Sequence, residues 1–266
     1  MSVPARNSAA AVSAGPAVPV SAPGPLAAGA EACRRAARCR TCTVRQNALF
    51  VNLSVPELEA IAPRVPDLTV AAGETLYSAG DTPDALFIVR RGVVKLVHYL
   101  ADGSYRIVRL ARRTDLLALE TLLDTPCDHT AVALTEVEVC RVPLPVVRLV
   151  MEKQDWLATQ MIRHWHHAVR RADDWLTHYS TGSARQRLAR FLIDLHDLAA
   201  EAAPGVAQPA VELPSRDDVG AILGITKETA SRLIADFRRA GLLANLDLRH
   251  VRVARDGLAA VAAVDG

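Results

Sequence analysis

Between Pro214 and Ala244 the chain carries two short helical stretches, each with its own start and stop signal, joined by a glycine turn. Ser215 with Asp218 three residues later reads as a capping box. A helix therefore starts there and buries Val219, Ile222 and Leu223 until Gly224 ends it. Thr226 caps a second helix predicted from Lys227 to Ala240, with Ala230, Leu233, Ile234 and Phe237 inward and Gly241 as its stop. Two helices joined by a turn of about 3 to 4 residues form a helix-turn-helix. With the apolar positions turned inward, Lys227, Glu228, Ser231 and Arg232 take the opposite face near the helix N-terminus. Those are the turns that a recognition helix places in a DNA major groove. Arg pairs with guanine, Glu accepts from cytosine N4 and Ser serves either partner, so these four are the candidate base-reading residues. The competing reading is an ordinary surface helix held by an i, i+4 pair between Glu228 and Arg232.

The flanking segments extend this reading. Leu242-Leu243 and His250-Val251-Arg252-Val253 alternate around a polar turn, as in a β-hairpin wing. Arg216, Thr226, Arg238, Arg239, Arg249 and Arg252 are the candidate phosphate contacts, which set affinity without reading sequence. Upstream, a helix over Ala184 to Ala200 carries Leu188, Phe191, Leu192, Leu195 and Leu198 on one face. From about Pro145 to Ser180 a single long helix is predicted. Leu157, Met161, His164, Ala168, Ala172 and Trp175 recur there at spacings of 3 or 4, a seam suited to a homodimer coiled coil. From Asp67 to Val142, short β-branched runs alternate with turn signals, Asp102-Gly103 the strongest, and read as an antiparallel β domain.

Composition narrows the function classes. With 50% hydrophobic and 23% charged residues, the 266-residue chain suits one large or two modest cored domains. A net charge of +2 excludes a histone-like blanket of charge and leaves room for a local basic face. Aromatic residues, at 4%, are too few for single-strand binding on stacked rings. No run of about 18 apolar residues occurs, so no membrane span is expected. Residues Ser2 to Ala30, interrupted by Pro16, Pro19, Pro23 and Pro25, read as a disordered leader and not as a secretion signal. Five cysteines without an export signal suit a reducing cytoplasm. The sequence lacks P-loop, GxGxxG, GxSxG and HExxH motifs, so no enzyme is predicted. The alternatives from other classes are an enzyme regulated through the β domain and a structural zinc protein.

The order of parts resembles the CRP/FNR transcription regulators from about Cys39 to Val253. The resemblance rests on Gly73-Glu74-Thr75-Leu76 and Ala79-Gly80-Asp81, on Phe87-Ile88-Val89-Arg90-Arg91-Gly92, and on the run from Gly224 to Leu233. Within that run, Glu228-x-x-Ser231-Arg232 is similar to the FNR-branch recognition helix. The resemblance implies an α+β fold. An N-terminal antiparallel β-roll (a cyclic-nucleotide-binding-like, double-stranded β-helix) is followed by a long dimerisation helix and a C-terminal winged helix-turn-helix. The expected organisation is a disordered leader over 1–30, a Cys-rich sensor segment over 31–48, the β-roll over 49–145, the dimerisation helix over 146–180 and the DNA-binding domain over 181–266. A homodimer on double-stranded DNA is implied, reading an inverted repeat of TTGAT-like half-sites one helical turn apart. RNA polymerase is the implied partner of the turn Ala101-Asp102-Gly103-Ser104.

Cysteine placement raises the question of a sensor. Cys33, Cys39 and Cys42 cluster among five arginines, and soft thiolates favour an iron–sulfur cluster or zinc. In oxygen-sensing members of the family, similar cysteines join one at the end of the β-roll, just before a Val/Ile-Pro step. Cys140-Arg141-Val142-Pro143 matches that position. The chain departs from the pattern six residues after the Cys39-x-x-Cys42 pair, where Ala48 replaces a cysteine. The expected ligands of a [4Fe-4S] cluster are therefore Cys33, Cys39, Cys42 and Cys140, with Cys127 in reserve. The alternatives are no cofactor, or haem on His98 or His129. Cyclic AMP is disfavoured, because the phosphate-binding stretch of the family reads Asp128-His129-Thr130-Ala131 here, and an Asp repels an anion.

Overall fold

The computed structural model describes residue 42 and residues 50–263, so the leader, Cys33, Cys39 and most of the Cys-rich segment lie outside the described residues. Ser54 and Glu57 form a capping box that starts helix α1 (Val55–Ile61). The β-roll follows: β1 (Asp67–Val70), β2 (Thr75–Tyr77), β3 (Ala85–Arg91), β4 (Val94–Tyr99), β5 (Tyr105–Ala111), β6 (Leu116–Leu117), β7 (Thr130–Ala133) and β8 (Val137–Pro143). They form two antiparallel four-stranded sheets in the orders β1-β8-β3-β6 and β2-β7-β4-β5.

The period-2 alternation of the strands feeds two separate cores. On β3, Phe87 and Val89 point between the sheets with Val94, Leu96, Val137 and Val139, whereas Leu86 and Ile88 point outward. These outward residues pack with Val142, Leu58, Ile61 and Val147 in a second cluster beneath α1. The second sheet is also covered outside, where Val97 of β4 and Ile107 of β5 join the core of the C-terminal half. Gly92 turns β3 into β4 at φ 82°, and a Cβ there would stand 2.2 Å from the Glu136 carbonyl oxygen, so the position admits only glycine.

The long helix expected from Pro145 to Ser180 is two helices, α2 (Leu144–Lys153) and α3 (Trp156–Ser180). Gln154 leaves the helical region at φ −141°, and its side chain donates to Glu57 and accepts from Trp156 Nε1 at 2.8 Å. Those bonds tie the break to α1. Helix α4 (Ala184–Ala202) begins on a complete Ser183–Gln186 capping box and buries Leu188, Phe191, Leu192 and Leu195. After it come β9 (Val211–Glu212), α5 (Arg216–Leu223), α6 (Lys227–Arg239), β10 (Leu243–Asn245), β11 (His250–Val253) and α7 (Arg255–Ala263), with the strands in the order β10-β11-β9. The architecture is the α+β arrangement expected, a β-roll, a long helix and a winged helix-turn-helix.

Candidate functional site

Helix α6 is held from behind and bare in front. Ala230, Ile234 and Phe237 are fully buried, Leu233 packs beside them, and Thr226 Oγ1 caps the helix by accepting from Thr229 N at 3.2 Å. Lys227, Glu228, Ser231 and Arg232 are exposed. Lys227 donates to Asp217 at 2.7 Å, bracing the first turn of α6 against α5. Among the described residues no ion pair joins Glu228 to Arg232, so the ordinary-surface-helix reading lacks its contact. The capping box expected at α5 is half made. Ser215 Oγ accepts from Asp218 N at 3.0 Å, but the Asp218 carboxylate turns away to the β-roll and accepts from Lys95 Nζ at 2.5 Å.

The candidate phosphate contacts fall into two groups. Arg239 pairs with Asp236 and Arg249 reaches Glu212 at 4.0 Å, so both are partly neutralised. Arg252 is exposed on β11 and Thr226 is exposed at its cap. Arg216 is different: burial and then the neighbouring Arg238 depress its pKa, and among the described residues no carboxylate pairs with it. Arg238 Nε is buried without an acceptor. Arg185, which the sequence reading passed over, lies 4.8 Å from the Phe237 ring and adds a third guanidinium to the surroundings of α6. At the wing tip Asp247 accepts from the amides of Arg249 (2.7 Å) and His250 (2.8 Å), which holds its carboxyl down at about 2.

Two of the sequence-predicted thiols border one place. Cys42 and Cys140 are both half-buried against the cluster beneath α1. Cys140 Sγ donates to Asp67 Oδ1 at 3.6 Å, and Asp67 in turn pairs with Arg90 at 2.9 Å. Burial works against the Arg90 charge, but Asp67, Cys140 and Cys42 outweigh it and raise its pKa. The two thiols thus share one guanidinium neighbour, Arg90. Cys127 is set apart, 3% exposed in the core between the sheets, where burial foremost and then Glu120, Asp81 and Asp128 push its thiol up to about 12. Its place between the sheets sets it apart from Cys42 and Cys140, which border the cluster beneath α1. Among the described residues no group of three or more His, Cys, Asp and Glu side chains is placed to hold a metal. At the nucleotide-like stretch, the Thr130 hydroxyl is taken by Ala79 N at 3.0 Å, and the His98 and His129 rings stand 6.0 Å apart.

Comparison with known proteins agrees with both halves. Residues 68–154 match the cyclic nucleotide-binding domain model and residues 186–261 the Crp-like helix-turn-helix domain model. The chain is 29% identical over 219 residues to the transcriptional regulatory protein btr of Bordetella pertussis, covering 82% of this chain and 90% of that one. It is 27% identical to the fumarate and nitrate reduction regulatory protein of Escherichia coli, covering 79% and 84%. The crystal structure of TTHB099, a CRP-family transcriptional regulator from Thermus thermophilus, superposes with a TM-score of 0.64 at 25% identity, covering 74% of this chain and 97% of that one. The chain belongs to the CRP/FNR family of transcription regulators. Proteins of the CRP/FNR family are regulators and not enzymes.

In this CRP/FNR-family chain the residues expected at the dimer seam are placed as follows. Leu157 is fully buried and Met161 is 9% exposed, both inside the cluster beneath α1. Trp175 packs edge-on to Tyr179 at 4.7 Å against the C-terminal core. His164 is half-buried near Asp115, which pairs with Arg171 at 2.8 Å. Ala168 and Ala172 are half-buried. Leu157, Met161 and Trp175 of that seam thus pack into the protomer's own cores. The open apolar stripe lies one residue on, about 100° around the helix. Ile162 (69% exposed), Trp165 (48%), Val169 (48%) and Leu176 (62%) alternate there at coiled-coil spacing, with Ala172 between the last two. The described helices include none long and apolar enough to cross a membrane.

Proposed function

We propose that this CRP/FNR-type regulator is a homodimer that reads an inverted repeat of TTGAT-like half-sites and responds to oxygen or redox state through cysteine ligands. The observation that carries the DNA reading is the face of Glu228, Ser231 and Arg232, exposed and, among the described residues, without a side-chain hydrogen bond or ion pair, on a helix whose opposite side is fully buried. Lys227 and Thr226 set the N-terminus of that helix. Arg216, Arg238, Arg249, Arg252 and Arg239 would approach phosphates and fix orientation. Pairing of two protomers through Ile162, Trp165, Val169 and Leu176 would place two α6 helices on one face of the duplex. The hairpin tip at Ala101–Ser104, with Tyr99 58% and Leu100 41% exposed beside it, is the surface offered to RNA polymerase. A DNA partner fits a cytoplasmic protein.

Cys33, Cys39, Cys42 and Cys140 would hold a [4Fe-4S] cluster. The fit is supported by two thiols bordering one core beside Arg90, the chemistry that thiolate ligation needs. When bound, the cluster supplies oxygen-labile redox chemistry. Asp67, itself held by Arg90, accepts from the Cys140 thiol and orients it. Ala48 favours a second reading, a regulator that keeps the DNA-reading half and holds no cluster. Anaerobic purification followed by absorption and iron and sulfide analysis separates the two. A brown protein that bleaches in air, and a Cys140→Ala variant without iron, support the sensor. A colourless, iron-free protein that still binds the repeat supports the second reading.

A further inference from the structure

The β-roll grips the helix-turn-helix at one charged point. Lys95 of β4 and Asp218 of α5, 123 residues apart, pair at 2.5 Å with side chains only 15% and 10% exposed. The Tyr105 hydroxyl of β5 reaches the same Asp218 oxygen at 3.3 Å. The next residue, Arg106, lies over the turn of the motif, where a Cβ on Gly224 would come within 2.7 Å of its guanidinium. Val97 and Ile107, on the outer side of the same two strands, share a core with Val219, Ile222 and Phe237.

These contacts differ in what they can specify. Apolar burial is non-directional, so Val97 and Ile107 hold the two halves together without fixing their angle. A buried ion pair adds little net stability over an apolar filling, but a wrong geometry leaves two charges unsatisfied. We infer that Lys95 is a positioning residue for DNA reading: through Asp218 it fixes the angle at which the β-roll carries α5 and α6, and hence the separation of the two recognition helices of a dimer. The inference rests on the DNA-reading role proposed above. In a dimer each half-site is read by one helix, so the carrying angle shows in the preferred half-site spacing and not in the preferred bases.

Lys95→Met keeps the length and apolar stem of the side chain and removes its charge, and Lys95→Arg keeps the charge. Binding is measured on inverted repeats of the preferred spacing, on repeats one or two base pairs shorter or longer, and on repeats with one substituted half-site base. Wild type and Lys95→Arg are expected to favour one spacing by about tenfold or more, and Lys95→Met by less than about threefold with base preference unchanged. An unaltered spacing preference in Lys95→Met overturns the inference. Wild-type protein that binds none of the repeats sinks the DNA-reading proposal instead. Hydrogen exchange on the free protein then decides for the joint: amides of α5 and β4 are expected to exchange at least about tenfold faster in Lys95→Met, and equal rates overturn it. If Lys95→Met folds poorly, Lys95→Met/Asp218→Asn removes both charges, strands neither, and is judged by the same outcomes.

Discussion

Glu228, Ser231 and Arg232 make no side-chain hydrogen bond or ion pair among the described residues, so water satisfies them until another molecule displaces it. That gives Arg232 its leverage. Arg232→Ala is expected to cost about 1–3 kcal/mol on the specific site and to relax base preference at one position of each half-site. A titration showing unchanged specificity would remove α6 from base reading. Asp247 makes the opposite use of its side chain, closing the wing tip on two amides. Its carboxyl titrates at about 2 in the folded protein, against about 3.9 in an unfolded chain. A depressed carboxyl contributes stability that is complete above the unfolded value and fades as pH falls through the folded one. The contribution of the Asp247 carboxyl to holding the tip is therefore expected to be complete above about 5 and to fade below about 4. A carboxyl-carbon NMR titration of Asp247 with a midpoint near 4 would show that the tip contacts are absent in solution.

At the scale of elements, α3 shows what a sequence of this kind conceals. Residues at spacings of 3 and 4 occur on two neighbouring stripes of the helix, Leu157 to Trp175 and Ile162 to Leu176. Which stripe faces inward depends on the outward side of β3 and on α1, elements far away in the sequence. Trp165→Glu is expected to shift the protein toward monomer in sedimentation, because it places a charge in the open stripe. Met161→Ala is expected to lower protomer stability by about 2–5 kcal/mol and leave the dimer intact. The reverse pattern would restore the original seam. The helix-turn-helix was legible because its caps, turn and core spacing all fall within about thirty residues and agree. The break at Gln154 was not, because it depends on Glu57 and Trp156 side chains meeting across a fold. Nor was the second role of Asp218, whose partner sits on a strand of the β-roll.

On the scale of the whole molecule, a chain with net charge +2 has little long-range attraction for DNA, so the salt dependence of binding reports local guanidiniums. Arg216→Gln and Arg238→Gln are each expected to flatten the slope of log K against log salt by about 0.9 without altering base preference. An unchanged slope for both would place this pair away from the backbone. The cysteines proposed as ligands and the helix proposed for pairing also share a foundation. The cluster beneath α1 carries Cys42 and Cys140 at its margin and Leu157 and Met161, the root of α3, in its interior. A helix of 25 residues, at about 1.5 Å per residue, is a rod of about 37 Å. A tilt of about 5° at such a root moves the far tip by about 3 Å, more than half a helical turn. Repacking around the thiols by a fraction of an ångström thus has a lever arm already attached, with the DNA-reading half at its other end.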